Sequence, residues 1–360
     1  MPEYHDYAGV IHIHSTYSDG LKDLPEIIKA ANEAGCAYMI LTDHDTLKVL
    51  SSEGWYGNTL FLAGEEITVG EGQGHYLAMG LTSEVTPHNS PQETIDDVIS
   101  QGGIGFIAHP FYDQTRRWIF GLTPVTWQDW NVNGFTGIEI WNYSKDWIEN
   151  FGSLFSYLWG VICPDCFIDG PLTEALKKWD ELLCYQKVTG IGSVDAHGYF
   201  YPYKRMFKTL RTHVLLNENL SFQSSFFEND KNMIYKSLEK GNCYFSYDYL
   251  ASAGSFMYSA DNGRRQVIMG DELSIGAGVS LKISSPQPGL LRIIKNNKLT
   301  ASAAGTNTLV KTVTEPGAYR AEVFLNIPKC FKEIYRPWIY SNPIYISGDY
   351  TCHGDAPFGR

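Results

Sequence analysis

The chain has no apolar run approaching the roughly 20 residues that a bilayer span needs. Its opening, MPEYHDYAGV, has no basic stretch followed by an apolar one. Neither a membrane span nor a secretory leader is therefore expected. Cations are the scarcer charge: 28 Lys and Arg stand against 40 Asp and Glu, a net charge of −12. Affinity for a phosphate backbone comes from clustered Lys and Arg, so no nucleic-acid partner is expected. Long like-charge blocks are missing and charged residues make up 19%, which argues against wholesale disorder. Cysteines number only seven, an odd count, and are scattered. That fits reduced, buried thiols and a cytoplasmic location better than a disulfide framework. Cys163 and Cys166 form a C-x-x-C (CPDC), but no second ligand pair follows, so a structural zinc site is not expected.

What is present can build a core. The chain has 360 residues and is 44% hydrophobic, enough for one large domain or two moderate ones. Up to about residue 215, short apolar runs alternate with amphipathic segments. Ala8 to Ile13 (AGVIHI) reads as a strand. Asp23-Leu24-Pro25-Glu26 then reads as a helix start, with a capping Asp, an early Pro and a Glu three residues on. Leu24, Ile27, Ile28, Ala31 and Ala34 keep helical spacing, and Gly35 stops the helix. Tyr38 to Thr42, Leu60 to Ala63, His75 to Met79, Ile104 to Ala108, Gly137 to Trp141 and Gly190 to Val194 read as further strands. Ser90-Pro91-Gln92-Glu93 opens another helix that ends at Gly102-Gly103.

Strands alternating with helices imply an α/β sheet or barrel with parallel pairing. Residues Asn150 to Tyr185 break the rhythm with many aromatics and two prolines, and read as a helical insertion that covers the site. After about residue 250, short alternating segments separated by Pro286-Gln287-Pro288-Gly289, Asn296-Asn297 and Pro316-Gly317 suggest a small all-β sandwich. The expected division is 1–249 and 250–360.

Six of the ten histidines sit at or beside predicted strand ends, mostly near acids. His12 and His14 are two apart, so both imidazoles leave one face of a strand. Asp195 and His197 repeat that spacing. Between them lie Thr42-Asp43-His44-Asp45, Gly64-Glu65-Glu66, Gly74-His75 and Ala108-His109-Pro110, and Asp19 stands in the turn Ser18-Asp19-Gly20. In a parallel barrel the C-terminal strand ends converge, which would make one site of scattered positions. A divalent ion takes three or four His or carboxylate ligands, so a set this large implies two or three ions, Zn, Mn or Fe. Ions about 3.5–4 Å apart and bridged by a carboxylate acidify a water toward neutral pKa.

These residues resemble the PHP family, the polymerase and histidinol phosphatase metallohydrolases. HIHSTYSDG (His12 to Gly20), LTDHDT (Leu41 to Thr46), Gly64-Glu65-Glu66, GHYLAMG from Gly74, AHP (Ala108 to Pro110) and SVDAH (Ser193 to His197) follow that family's order over roughly residues 8 to 215. The resemblance selects Glu66 over Glu65. It implies a distorted (βα)7 TIM-like barrel with up to three ions. His12, His14, Glu66 and Asp195 would hold the first, Glu66, His75 and His109 the second, and Asp19, His44 and His197 the third. Asp195, Glu66 and His197 would then be the catalytic groups. Some relatives carry His where this chain has Asp19, and the harder oxygen ligand favours Mn or Fe over Zn there. Gly317 to Leu325 and Arg336 to Ile344 are similar to a carbaryl-hydrolase-like (CehA/McbA-type) subgroup.

The implied reaction is hydrolysis of a small molecule, first of all a phosphoester. Arg117 and Arg205, with Arg116, Lys204, Lys208 and Arg211, are the cations available to receive a phosphate. The alternative is a carboxylic ester, carbamate or amide, for which Tyr17, Phe111, Trp118, Trp141 and Tyr199 would make an apolar surround. Glu139 is either a further ligand or a structural acid. Asp43 and Asp45 either orient imidazoles or simply shape the turn around His44. A non-catalytic binding module would require missing ligands, and none is missing.

Overall fold

The computed structural model describes residues 3–70, 72–112, 125–150, 153–199, 201–329 and 332–348. The first helix forms as its capping signals require. Strand β1 (His5–Ile11) leads to α1 (Leu24–Ala34), where the Asp23 side chain accepts from the Glu26 amide and Gly35 closes the helix at φ +73°. The five apolar positions of α1 are all buried. Strand β2 (Tyr38–His44) pairs parallel with β1, Val10 beside Met39. A short strand β3 (Gly54–Tyr56) folds back on β4 (Thr59–Val69), which lies parallel to β2. Next come β5 (Gly74–Met79), α2 (Pro91–Ser100, capped by Ser90) and β6 (Ile104–Ala108). Then β7 (Gly137–Asn142) precedes α3 (Tyr143–Glu149), α4 (Leu154–Ile162) and α5 (Thr173–Leu182). Finally β8 (Thr189–Ser193), α6 (Tyr203–Met206), β9 (Leu210–Leu216), α7 (Phe227–Lys240) and β10 (Cys243–Tyr247) complete this half.

Seven of these strands, in the order β1-β2-β4-β5-β6-β7-β8, form one mixed α/β sheet that curls until its ends meet. Backbone bonds join them: Val194 N to Ile11 O at 3.2 Å, Ala196 N to His12 O at 3.1 Å and His14 N to Ala196 O at 3.0 Å. The pairs β4–β5 and β5–β6 are antiparallel, so the strands do not make an all-parallel TIM-type barrel. The reason lies in chain length. Only residues 70–73 separate Val69 from Gly74, whereas a parallel crossover needs about a dozen or more. Alternate residues separate into two cores. Ile11, Ile40, Leu62, Leu77 and Phe106 pack with Ile234 and Leu238 of α7, while Val10, Met39, Leu41, Phe61 and Ile107 pack with the buried faces of α1 and α2.

Among the described residues every regular element after Lys240 is a strand. They are β11 (Met257–Asp261), β12 (Gln266–Ile268), β13 (Glu272–Ser274), β14 (Val279–Lys295), β15 (Lys298–Val313), β16 (Gly317–Lys329), β17 (Lys332–Ser341) and β18 (Ile344–Ser347). They enclose a core of their own, including Leu281, Ile293, Val323, Trp338 and Ile346. Hydrogen bonding still runs continuously from one half to the other, because β10 pairs with β17.

Residues 153–185 carry α4, a short 3-10 turn (Pro164–Phe167) and α5, and two buried arginines tie them to the β-region. Arg320 makes a two-pronged bond to Asp180, both contacts at 2.8 Å, and Arg336 grips Asp165, both at 2.7 Å. In the CPDC turn the Cys163 and Cys166 sulfurs lie 2.7 Å apart. No described helix is long and apolar enough to cross a membrane.

Candidate metal centre

Each predicted ligand except Asp19, which stands in the turn between β1 and α1, occupies a strand position or lies just beyond a strand end. His12 follows β1, His44 ends β2 directly beside Glu66 of β4, and His75 stands on β5. His109 follows β6, and Asp195 and His197 follow β8. Three of them hold a left-handed backbone: His12 at φ +68°, His109 at +26° and Asp195 at +50°. Left-handed non-glycine residues are uncommon, and His and Asp are among those that tolerate the conformation best.

Glu66 is the hub, fully buried, with both carboxylate oxygens shared. Its Oε1 lies 2.7 Å from His75 Nδ1 and 3.0 Å from His109 Nε2. Its Oε2 lies 2.9 Å from His12 Nε2, 3.1 Å from His14 Nε2 and 3.5 Å from His44 Nδ1. Asp195 Oδ1 is 3.5 Å from nitrogens of His12, His14 and His197. Asp19 Oδ2 sits 3.2 Å from His197 Nε2, and its other oxygen 3.6 Å from His14 Nδ1. Four overlapping sets result: His12 with His14 and Asp195; His12 with Glu66 and His109; His44 with Glu66 and His75; and His14 with Asp19, His44 and His197. In each set the donor atoms lie within 4.8 Å of one another.

The charges in this cluster are tightly bound to one another. Burial disfavours ionising Glu66, yet the His12 and His75 imidazoles hold its carboxyl well below the usual range. Asp195 is likewise held far down, against burial, by His12, His14 and His197. Burial opposes protonating His14, but the facing Asp195 and Glu66 carboxylates lift it to about 9. Asp19 is drawn down to about 2, against its own burial, chiefly by His197. Burial lowers His44 and His109. Two buried nitrogens, His14 Nε2 and His109 Nδ1, meet no hydrogen-bond geometry among the described residues. His14 Nε2 nonetheless faces two carboxylate oxygens. Converging imidazole nitrogens and carboxylate oxygens of this kind are the donor set that Zn, Mn and Fe accept. The residues therefore fit divalent ions, whose charge would offset the buried carboxylates that these imidazoles face.

Several supporting residues were open or unseen at the level of sequence. Glu139 orients His12: its Oε1 lies 2.7 Å from His12 Nδ1, its Oε2 accepts from the His109 amide at 2.6 Å, and Ser193 donates to Oε1. Fixing Nδ1 in this way aims the Nε2 lone pair of His12 at the cluster. Asn142 was missed. Its Nδ2 donates to both Glu139 Oε2 and Asp195 Oδ2 at 3.1 Å. Asp43 accepts from Ser15 N (2.6 Å), Ser15 Oγ (2.5 Å) and Ser18 Oγ (2.6 Å), so it sets the loop that carries Asp19. Asp45 accepts from the Thr68 amide.

A cavity of about 380 Å³ opens beside the cluster, with Glu66, His75, His109, Asp195 and His197 on its inner side. Lys145 is the one Lys or Arg among its described lining residues. Arg205 is not in the lining; it stacks on the Tyr201 ring at 4.5 Å, and Tyr201 is in it. Lys204 pairs with Glu33, and Arg211 bonds the carbonyls of Phe207 and Ala34, so neither faces the cluster. Of the aromatic candidates, Tyr199 lines the cavity and stacks on His197. Trp141 instead packs against Tyr247 and Tyr340, Phe111 stacks on Trp130, and Tyr17 belongs to a different surface depression. Arg116, Arg117 and Trp118 lie outside the described residues.

No family model matches the chain. It is 26% identical over 161 residues to an uncharacterised protein of Methanocaldococcus jannaschii, covering 39% of this chain and 85% of that one. Among solved structures, it is similar to a two-domain Bacteroides vulgatus protein described as containing a predicted PHP-like metal-dependent phosphoesterase. The identity is 16% and the TM-score 0.42, with 93% of this chain and 95% of that one covered. An amidohydrolase from Chromobacterium violaceum, with bound sulfate and no metal, is 15% identical with a TM-score of 0.30, covering 52% and 87%. The functional reading therefore rests on the geometry of the site.

Proposed function

We propose that the protein is a metal-dependent hydrolase of phosphoesters that binds two or three divalent ions. One observation carries this reading: both oxygens of the buried Glu66 carboxylate face imidazoles, two on Oε1 and three on Oε2. A carboxylate so placed is suited to bridge ions. His12, His14, Glu66 and Asp195 would hold one ion, Glu66, His75 and His109 a second, and Asp19, His44 and His197 a third. Bound ions supply Lewis acidity and a water acidic enough to attack near neutral pH. The chain's own part is positioning. Glu139 and Asn142 lock His12 and Asp195, and Glu66 and Asp195 stay anionic at neutral pH. The order of these motifs supports a PHP-type reading, and the stretch from Arg336 to Ile344 supports the carbaryl-hydrolase-like subgroup.

The apolar lining of the cavity favours a second reading, hydrolysis of a neutral carboxylic ester or carbamate at the same centre. A panel of a phosphomonoester, a phosphodiester and a carbamate ester, each with Mn²⁺ or Zn²⁺, separates the two. We expect phosphoester turnover and at least about two metal equivalents per chain by elemental analysis. Turnover confined to the carbamate would replace the first reading by the second. Protein free of metal after metal-supplemented expression would sink both.

A further inference from the structure

The wall of the cavity opposite the ligand cluster is built from one face of α3 and the residues around α6. Tyr143, Trp147, Ile148, Tyr201 and Met206 line it. Trp147 and Tyr201 meet edge to face, with centroids 5.1 Å apart at 68°. Both donate to the same carbonyl, that of Gly160 on α4: Trp147 Nε1 from 3.4 Å, and Tyr201 through its hydroxyl. A shared acceptor and an edge-to-face contact leave these rings little freedom, so the wall is preformed.

Three hydroxyls around this wall are already engaged as donors. The Tyr199 hydroxyl donates to Asp19 O, and the Tyr201 hydroxyl to Gly160 O. The Ser144 hydroxyl is directed at the carbonyls of Val194 and Asp195, 2.9 and 2.8 Å away. A hydroxyl or phenol has one proton to give, so a hydroxyl-rich ligand would find acceptors here but few donors. Lys145 brings positive charge to the same chamber, and it also lines the smaller cavity that His109 and Glu139 border. The volume is near the low end of ligand pockets, which run from about 300 to 1,000 Å³.

We infer that the substrate pairs a single anionic reacting group, met by Lys145 and the metal cluster, with an uncharged apolar group of about one ring, seated against Trp147, Ile148 and Tyr201. Aryl or branched-alkyl monoesters belong to this class; sugar phosphates and nucleotides do not. The inference rests on the hydrolase reading, and names Lys145 and the α3 face as the residues that choose the substrate.

Binding of non-hydrolysable anions to the Mn²⁺-loaded protein tests it without turnover. Titration calorimetry should give phenylphosphonate a Kd about tenfold or more below that of methylphosphonate. Ile148→Asn, at a half-buried position, should shrink that ratio toward one. Lys145→Met should weaken both phosphonates by a similar factor, roughly tenfold or more, and Lys145→Arg should restore most of it. Each variant is compared at matched metal content. Equal Kd values for the two phosphonates would overturn the inference, and so would a Lys145→Met protein that binds both as well as the parent does. Because no bond is broken in the assay, failure to find any hydrolysed ester would count against the hydrolase reading and leave this result standing. Hydrolysis of phenyl and glycerol phosphates with equal kcat/KM would do the reverse, keeping the hydrolase and sinking the proposed selectivity.

Discussion

Glu66→Gln is the perturbation that bears hardest on the proposed centre. The substitution keeps shape and volume, so packing at this fully buried position survives. It removes the negative charge that five imidazoles converge on at 2.7–3.5 Å. At an effective dielectric of about 20, a unit charge pair about 3 Å apart is worth roughly 5 kcal/mol. If half of that is lost at each of two bridged ions, the total is about 5 kcal/mol, a loss of affinity on the order of a thousandfold or more. Elemental analysis after dialysis against a weak chelator should show the variant retaining at least one equivalent less than the parent, with turnover falling in step. Glu65→Gln is the control. Glu65 points to the other face of β4, accepts from the Val85 amide at 3.0 Å, and is pushed up to about 7 by burial. A carboxyl raised above its ordinary 4.5 costs stability when ionised; the cost is absent below about 4.5 and complete above about 7. Glu65→Gln should therefore keep its metal and gain stability at alkaline pH. A Glu66→Gln protein with unchanged metal content and activity within tenfold of the parent would refute the bridging role.

Asn142→Ala should lower metal affinity and kcat by roughly 10- to 100-fold, because it frees both Glu139 and Asp195; unchanged metal retention would remove Asn142 from the support of the site. His213 tests the fold away from the cluster. It lies between Asp6 (2.8 Å) and Asp248 (3.2 Å), with Tyr244 and Arg211 nearby, and against its burial the two aspartates raise it to about 9 from 6.5. That gap corresponds to about 3 kcal/mol of stability, fully present below pH 6.5 and lost as pH rises through about 9. Urea unfolding of the parent and His213→Gln should show their difference shrinking by about that amount between roughly pH 6 and pH 10; a difference independent of pH would refute the assignment.

Local chemistry explains which features were legible in the sequence. Asp23 and Ser90 cap their helices because a short polar side chain, a following Pro and a Glu in the first turn act within four residues. That these side chains converge was legible because period-two spacing and strand ends constrain direction. Long-range register was not legible, and one irregularity accounts for two errors. Strand β7 pairs Glu139 with Ile191 and Trp141 with Gly192, so one extra residue intervenes between them. Strict alternation would place Trp141 beside Glu139 and turn Asn142 away. The extra residue reverses both: Asn142 comes round to Glu139 and Asp195, while Trp141 turns out to Asp146 and Tyr247. Arg205 stands outside the described lining of the cavity for a different reason. A cation two residues beyond an apolar turn can reach solvent, acid or ring, and here it takes the ring of Tyr201.

The left-handed backbone at His12, His109 and Asp195 shows why these residue types stand where they do. Each follows a strand whose side chains alternate across the sheet, and each must turn its donor inward just as the strand ends. A sparsely populated conformation costs on the order of 1–3 kcal/mol per residue and persists only where the surroundings over-determine it. They do so here. The His109 amide is held by Glu139, the His12 carbonyl by the Ala196 amide, and the Asp195 carbonyl by Ser144. Glu139 and Asn142 then act on both sides of the balance: they fix the strained backbone or side chain of one ligand and aim the donor atom of another. Alanine at such a position would lose the ligand and keep the strain. Glycine would relieve the strain and lose the ligand. His and Asp accept the conformation and supply the donor, so the chemistry of the centre and the stability of its strand ends select the same residues.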